Sequence, residues 1–380
     1  MALRATLLLA FLGLSPSPVV SIAVLPVVGS HRFDVATTSA SLTDSGRLDP
    51  FANDGRVRSI MVSGFYPVPA CHHERLKPYM PPATTTFQDD KFAAYGLPNG
   101  SFQSLYLETC NGSANRSLCS SSSLPLVLFS GALGTSRLLY NSMLQSVAAA
   151  GYLVISIDHP YDADIVEFPN GTIITGAEIS SDAEVKLALT TRTEDIAFLH
   201  RQIANASITD KLFPGHLHGH RVPKTAIVGH SLGGAAAAAT MLQVPSIRGG
   251  LNLDGTMFGP VLTAGLDRPF MLMGHENKTQ ETDPSWKAIW PQLRGWKKEF
   301  EVRGTAHYSF SDLPLITSVL DLQNKLQPEI EQVLGTVEGR RMMKLTVTYV
   351  TAFLDMVLKS GSEVMLIGGN GEFPEVAEVA

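Results

Sequence analysis

The chain has 380 residues, 44% of them hydrophobic and 17% charged, enough apolar material for one large buried core. A formal net charge of −6, with no long basic run carrying interleaved aromatics, argues against a nucleic-acid partner. No internal repeat divides the chain.

At the N-terminus Arg4 precedes the apolar stretch Ala5–Leu14, and Ser21-Ile22-Ala23 supplies small residues for cleavage. Residues 1–23 therefore read as a secretory signal peptide and 24–380 as a single mature domain. Pro16 and Pro18 interrupt the apolar run and argue against a membrane anchor. Sequons begin at Asn99, Asn111, Asn115, Asn170, Asn205 and Asn277, as expected of a secreted glycoprotein. Cys71, Cys110 and Cys119 allow one disulfide and leave one thiol over. Cys110–Cys119 would close a serine-rich loop, whereas a bridge from Cys71 would tie in the N-terminal segment; spacing leaves both open.

Phe33–Leu42 and Val57–Phe65 alternate like an antiparallel pair at a sheet edge. Apolar runs then recur at Leu124–Phe129, Leu153–Ile157, Thr225–Val228, Leu251–Leu253, Phe270–Met273 and Phe300–Val302, with helical stretches such as Asp182–Ala204 and Met343–Leu358. Such alternation predicts an α/β fold, a mostly parallel sheet with helices on both faces and an antiparallel N-terminal edge. Residues 368–380 read as a loosely packed tail.

Thr225-Ala226-Ile227-Val228-Gly229-His230-Ser231-Leu232-Gly233-Gly234 joins a strand to a helix through a tight turn with a serine at its apex. This is the setting of a G-x-S-x-G nucleophile elbow, whose strained serine tolerates only small residues two before and two after it. The helix start aims its dipole and unpaired N–H groups at the space above Ser231. A serine hydroxyl needs a base and an orienting acid, which in α/β-hydrolases follow it in the order acid, then histidine. Two histidines lie downstream, His275 and His307. His307 follows the last predicted parallel strand and fits the base; His275 follows the strand before and reads as a wall or structural residue. Asp254 and Glu276 each end a strand at the carboxyl edge of the sheet, and position does not choose between them. After the strand Leu124–Phe129 comes a glycine-containing loop, so the N–H groups of Leu133 and Leu232 are the expected oxyanion donors.

Ser231, Asp254 and His307, taken with Phe129-Ser130-Gly131-Ala132-Leu133-Gly134-Thr135-Ser136-Arg137, resemble the calcium-independent plasma-type platelet-activating factor acetylhydrolase family, and its secreted fungal-type relatives most closely. The likeness extends through Leu42–Phe51, Arg58–Pro67, Tyr79-Met80-Pro81-Pro82 and Ile157–Ala163. Members often carry a Pro-Gly or His-Gly pair where this chain has Gly131-Ala132. The resemblance implies the α/β-hydrolase fold, selects Asp254 as the acid, and implies a phospholipid with a short or oxidised sn-2 acyl ester as substrate, with possible lipid-surface contact. It implies no cofactor and no metal. A broader secreted lipase or polyester hydrolase is the alternative within enzymes, and a non-catalytic hydrolase-like binding protein the alternative outside them.

Two other histidine-bearing stretches compete for attention. Gly215-His216-Leu217-His218-Gly219-His220 has the alternation of a zinc site but no carboxylate nearby, and reads as a solvated loop. Asp158-His159-Pro160-Tyr161 reads as a structural turn and pocket rim rather than a second catalytic pair.

Overall fold

The computed structural model describes residues 21–29, 32–68, 71, 74–110, 124–216, 222–325, 327–367 and 371–380. The leader up to residue 20, Asn111, Asn115, Cys119, His218 and His220 lie outside them. The strands are β1 (Ala23–Leu25), β2 (Asp34–Leu48), β3 (Val57–Val68), β4 (Glu74–Pro78), β5 (Leu105–Cys110), β6 (Leu126–Ser130), β7 (Leu153–Asp158), β8 (Ile165–Glu167) and β9 (Ile173–Thr175). They continue as β10 (Thr225–His230), β11 (Ile247–Leu253), β12 (Phe270–His275), β13 (Lys297–Val302) and β14 (Val376–Glu378).

One sheet runs in the order β1-β5-β2-β3-β7-β6-β10-β11-β12-β13-β14, with β4 on β5, while β8 and β9 form a separate hairpin. From β7 to β13 every neighbour is parallel. These strands are covered on both faces, which is why they read as continuous apolar runs. In β6, Val127 and Phe129 face one core while Leu126 and Leu128 face the other. The helices Asn141–Ala149 and Gly339–Lys359 cover the first face, and Asp182–Gln202 and Leu232–Gln243 the second. Ala235–Ala239 in the elbow helix are all buried, so the alanine run allows a close approach to the sheet.

Two expectations change. The antiparallel pair β2–β3 is present, but it is not outermost: β5, β4 and β1 extend the sheet beyond it. The C-terminal residues from 371 are not loose. Phe373 is fully buried, β14 pairs antiparallel with β13, and Glu375 meets Arg341. The short apolar spacing of Phe373 and Val376 is enough to dock the end once an edge strand is waiting for it. Cys71 bonds to Cys110, because β4 runs antiparallel to β5 and returns the chain beside its end. Asn99, Asn170, Asn205 and Asn277 are all exposed. No helix among the described residues is long and apolar enough to cross a membrane.

Candidate active site

Ser231 sits at φ 57°, ψ −126°, between the end of β10 and the helix Leu232–Gln243. A non-glycine residue there is strained, and the surroundings hold it in place. Its N–H donates to the Leu253 carbonyl (2.8 Å), and its own carbonyl accepts from Gly234 (2.8 Å). A Cβ on Gly229 would stand 2.0 Å from the Gly233 carbonyl oxygen, and one on Gly233 would stand 2.0 Å from that of Ser130. Both flanking positions thus admit glycine alone. Gly255 is equally confined, 2.1 Å from the Ser231 carbonyl oxygen, so the turn after β11 passes directly over the elbow.

That turn carries Asp254, fully buried at φ 58°. Asn252 ties it down, accepting from Gly255 N–H (2.8 Å) and donating to the Gly255 carbonyl (2.7 Å), which also accepts from the Trp286 indole (2.7 Å). His307 opens a short 3₁₀ turn after β13. Its Nδ1 lies 2.5 Å from Asp254 Oδ2 and its Nε2 lies 3.0 Å from Ser231 Oγ. An acceptor on Nδ1 places the proton there, leaving Nε2 to accept from the serine hydroxyl. Burial pushes the Asp254 carboxyl up, but hydrogen bonds from His275 and His307 and their charges outweigh it and hold the group well below the usual carboxylate range.

The other candidates fall elsewhere. Glu276 is exposed and accepts from Gly304 N–H (3.0 Å), steadying the loop that leads to His307 rather than touching the imidazole. His275, expected as a wall or structural residue, has its Nδ1 2.6 Å from Asp254 Oδ1. The donor atoms of Asp254, His275 and His307 all lie within 4.8 Å of one another, a set that could hold a metal ion. A metal there would take the Nδ1 proton sites on which the Ser231–His307 pairing depends, so the two uses exclude each other.

The loop after β6 is held from beneath by Arg192, which the sequence reading did not single out. Its guanidinium forks onto Asp162 and donates to Ser130 Oγ (3.0 Å), the Gly131 carbonyl (2.5 Å) and the Ala132 carbonyl (3.2 Å). In a trans peptide, a carbonyl drawn toward Arg192 turns the N–H of Leu133 the opposite way. The N–H of Leu232 is the first of its helix and has no intrahelical acceptor. Tyr140 and His230 then join this loop to His307. Ala132 N–H donates to Tyr140 Oη (3.0 Å), Tyr140 lies 2.8 Å from His230 Nδ1, and His230 Nε2 lies 2.9 Å from the His307 carbonyl. The carbonyl fixes the proton on Nε2, so the tyrosine donates to Nδ1. Burial, with the charge of His307 second, lowers the His230 pKa to about 3 and keeps it neutral. The residue between Gly229 and Ser231 was the available signal for this link.

Asp158 and His159 are fully buried rather than on a rim. His159 Nδ1 lies 2.9 Å from Asp195 and its Nε2 lies 3.1 Å from Ser130 Oγ. Arg58 is fully buried against Asp195 and Asp49. His216, the described member of the histidine-rich stretch, packs against the Tyr66 ring at 4.9 Å. An apolar cavity of about 230 Å³ is lined by Tyr308, the residue after His307, together with Thr135, Leu139, Phe92 and Leu334 among others. A larger cavity of about 690 Å³, lined by Met61, Phe65, Lys77 and Tyr79 among others, includes no residue of the Ser231–His307–Asp254 set.

The family described as platelet-activating factor acetylhydrolase, isoform II, matches residues 97–169 and 212–364. A probable 1-alkyl-2-acetylglycerophosphocholine esterase of Arthroderma benhamiae is 30% identical over 91% of this chain and 92% of its own. The platelet-activating factor acetylhydrolase of Cavia porcellus is 25% identical over 54% of this chain and 53% of its own. Among solved structures, a ferulic acid esterase from Streptomyces cinnamoneus superposes with a TM-score of 0.78 at 26% identity, covering 94% of this chain and 99% of its own. The fold is that of an α/β-hydrolase, the protein is a carboxylester hydrolase, and the chain belongs to the platelet-activating factor acetylhydrolase isoform II family.

Proposed function

We propose that the protein is a secreted serine esterase that cleaves short or oxidised acyl chains from the sn-2 position of phospholipids through an acyl-enzyme. The observation that carries this is the continuous hydrogen-bond chain from Ser231 Oγ through His307 to buried Asp254, set on a strained elbow. Ser231 Oγ attacks the ester carbonyl while His307 Nε2 takes its proton, and Asp254 holds the imidazole tautomer and stabilises the imidazolium. The tetrahedral oxyanion rests on the N–H groups of Leu133 and Leu232. Collapse expels the lysophospholipid alkoxide, which takes the proton back from His307. A water molecule, deprotonated by the same imidazole, then releases the acyl group as a carboxylic acid and restores the serine. The relatives named for 1-alkyl-2-acetylglycerophosphocholine and platelet-activating factor support the substrate class. The Cys71–Cys110 bridge and the exposed sequon asparagines support passage through an oxidising, glycosylating compartment.

Phospholipids identical except for acetyl or palmitoyl at sn-2 test the assignment. In a closed pocket each methylene that fails to fit costs about 1–3 kcal/mol, so kcat/KM falls steeply for palmitoyl. Equal or better cleavage of palmitoyl defeats this substrate class. The ferulic acid esterase likeness favours a second reading, a broader esterase accepting aromatic or polymeric esters. Methyl ferulate turned over faster than the sn-2 acetyl phospholipid would select it.

A further inference from the structure

Asp254 has two carboxylate oxygens, and only Oδ2 serves His307. The other, Oδ1, accepts twice from one residue: the His275 backbone N–H at 2.9 Å and the His275 ring Nδ1 at 2.6 Å. An acceptor on Nδ1 makes the ring a donor there. No lysine or arginine pairs with Asp254 among the described residues, so both ionisable partners of this buried carboxylate are imidazoles. We infer that His275 is a positioning residue for the esterase reaction, a second imidazole that grips the acid from the side opposite the base. This rests on the role proposed above for Ser231, His307 and Asp254.

The local backbone is shaped for the grip. A Cβ on Gly274 would stand 2.4 Å from the Lys278 carbonyl oxygen, so the chain can fold back on itself directly after β12. The turn closes with Lys278 N–H on the His275 carbonyl (3.0 Å) and with Asn277 in the left-handed region at φ 64°. Asn277 N–H donates to Glu301 (2.7 Å), and Glu276 accepts from Gly304 N–H (3.0 Å), three residues before the base. One turn thus reaches both the acid and the loop that carries the base. The His275 side chain keeps 33% of its surface exposed, while Asp254 keeps none.

The physical consequence is a carboxylate that cannot rotate about its Cβ–Cγ bond without losing a bond at each end. Its oxygens therefore stay in the plane that aligns His307, and the alignment matters most when the imidazole carries a proton in the transition state. The hydrogen bonds of His275 reach Asp254 and not Ser231, so it acts through Asp254.

The test uses the full-length protein with three substitutions. His275→Ala and His275→Phe remove the ring donor, one leaving space and the other filling it. His275→Asn keeps an amide N–H where the imidazole Nδ1–H stands. Steady-state kinetics on p-nitrophenyl acetate, rates of fluorophosphonate labelling and thermal midpoints are measured for each. Loss of one charge-assisted hydrogen bond in the transition state should lower kcat and the labelling rate by about tenfold in the alanine and phenylalanine variants, with KM little changed. The asparagine variant should recover most of that loss. Equal kcat in all three substitutions and the wild type overturns the inference, as does an equal loss in all three or a loss confined to KM. Ser231→Ala is run beside them: turnover surviving in that variant would bring down the serine mechanism itself, whereas a dead Ser231→Ala with unaffected His275 variants removes only the role of His275.

Discussion

The molecule contains the same three residue types twice in the same hydrogen-bond order. Ser231, His307 and Asp254 lie at the top of β10, and Ser130, His159 and Asp195 lie one strand away at the top of β6. In both, a carboxylate accepts from Nδ1 and a serine hydroxyl faces Nε2. They differ in what surrounds them. Ser231 is partly exposed, at a strained φ of 57°, next to a helix N-terminus. Ser130 is fully buried in a strand, and its oxygen also accepts from Arg192. Asp195 is shared with Arg58 and Arg47. A serine–histidine–aspartate chain needs more than its hydrogen bonds to act as a nucleophile: an open face for an ester and donors for the oxyanion, and on the proposed mechanism only the Ser231 chain has them. The buried copy is a fastening, and what it fastens is the start of the loop after β6.

The largest expected effect breaks the exposed copy. Ser231→Ala should fold normally and lower turnover by about 10⁶-fold, the scale seen when a triad serine is removed. Peptide mapping of the fluorophosphonate-treated wild type should place the label on Ser231 and none on Ser130. Label on the Ser130 peptide would mean that the buried site opens to solvent.

Next come the acids. Asp254→Asn should cut kcat by about 10⁴-fold, because the amide stabilises the wrong tautomer of His307. Glu276→Gln keeps an acceptor for Gly304 and should cost less than about tenfold, within the worth of one hydrogen bond. The reverse ranking would transfer the acid to the turn after β12.

On the buried side the readout should be stability. Asp195→Ala leaves Arg58 and His159 without their shared partner and should destabilise the fold by about 3–5 kcal/mol, the usual result of breaking a buried ion pair. Urea unfolding measures it; a loss of activity at unchanged stability would show Ser130–His159–Asp195 to have a chemical role of its own.

The smallest effect is a slope. Burial lowers the pKa of His230 to about 3, below the ordinary 6.5, so the folded state binds fewer protons than the unfolded state between those values. The stability it contributes is present above about pH 6.5 and is lost as pH falls toward 3, by at most about 1.4 kcal/mol per pH unit. His230→Gln should flatten the acid side of the stability curve relative to the wild type. Parallel curves would show that His230 ionises in the folded protein.

Much of this architecture could be read without coordinates. Ser231 was legible because the elbow is a local steric problem, solved within five residues by Gly229 and Gly233. His307 was legible because only two histidines follow the serine and this one comes after the last predicted parallel strand. Asp254 and Glu276 stayed even on residues alone, since both end parallel strands at the same edge. Only the passage of the Asp254–Gly255 turn over the Ser231 carbonyl separates them, and that depends on β11 lying between β10 and β12. The places of His275 and Glu276 were not legible for the same reason: the tight turn at Gly274 points one at Asp254 and the other at the loop that carries His307.

What the sequence by itself determined were the features closed within a few residues: the apolar parallel strands, the strained serine, the helix that follows it and the β2–β3 pair. The tertiary structure alone decided the partners. Cys71 meets Cys110 because β4 returns beside β5, and the C-terminal residues dock because β13 has an open edge. Arg192, 62 residues from Ser130, reaches the loop after β6 because its helix packs on that face of the sheet. Steric and periodic constraints are local and leave their mark on residue type, but a hydrogen-bond partner is chosen by strand order and packing. That is why the same three residue types stand half-open at one strand end, where we propose the nucleophile, and form a buried brace at the next.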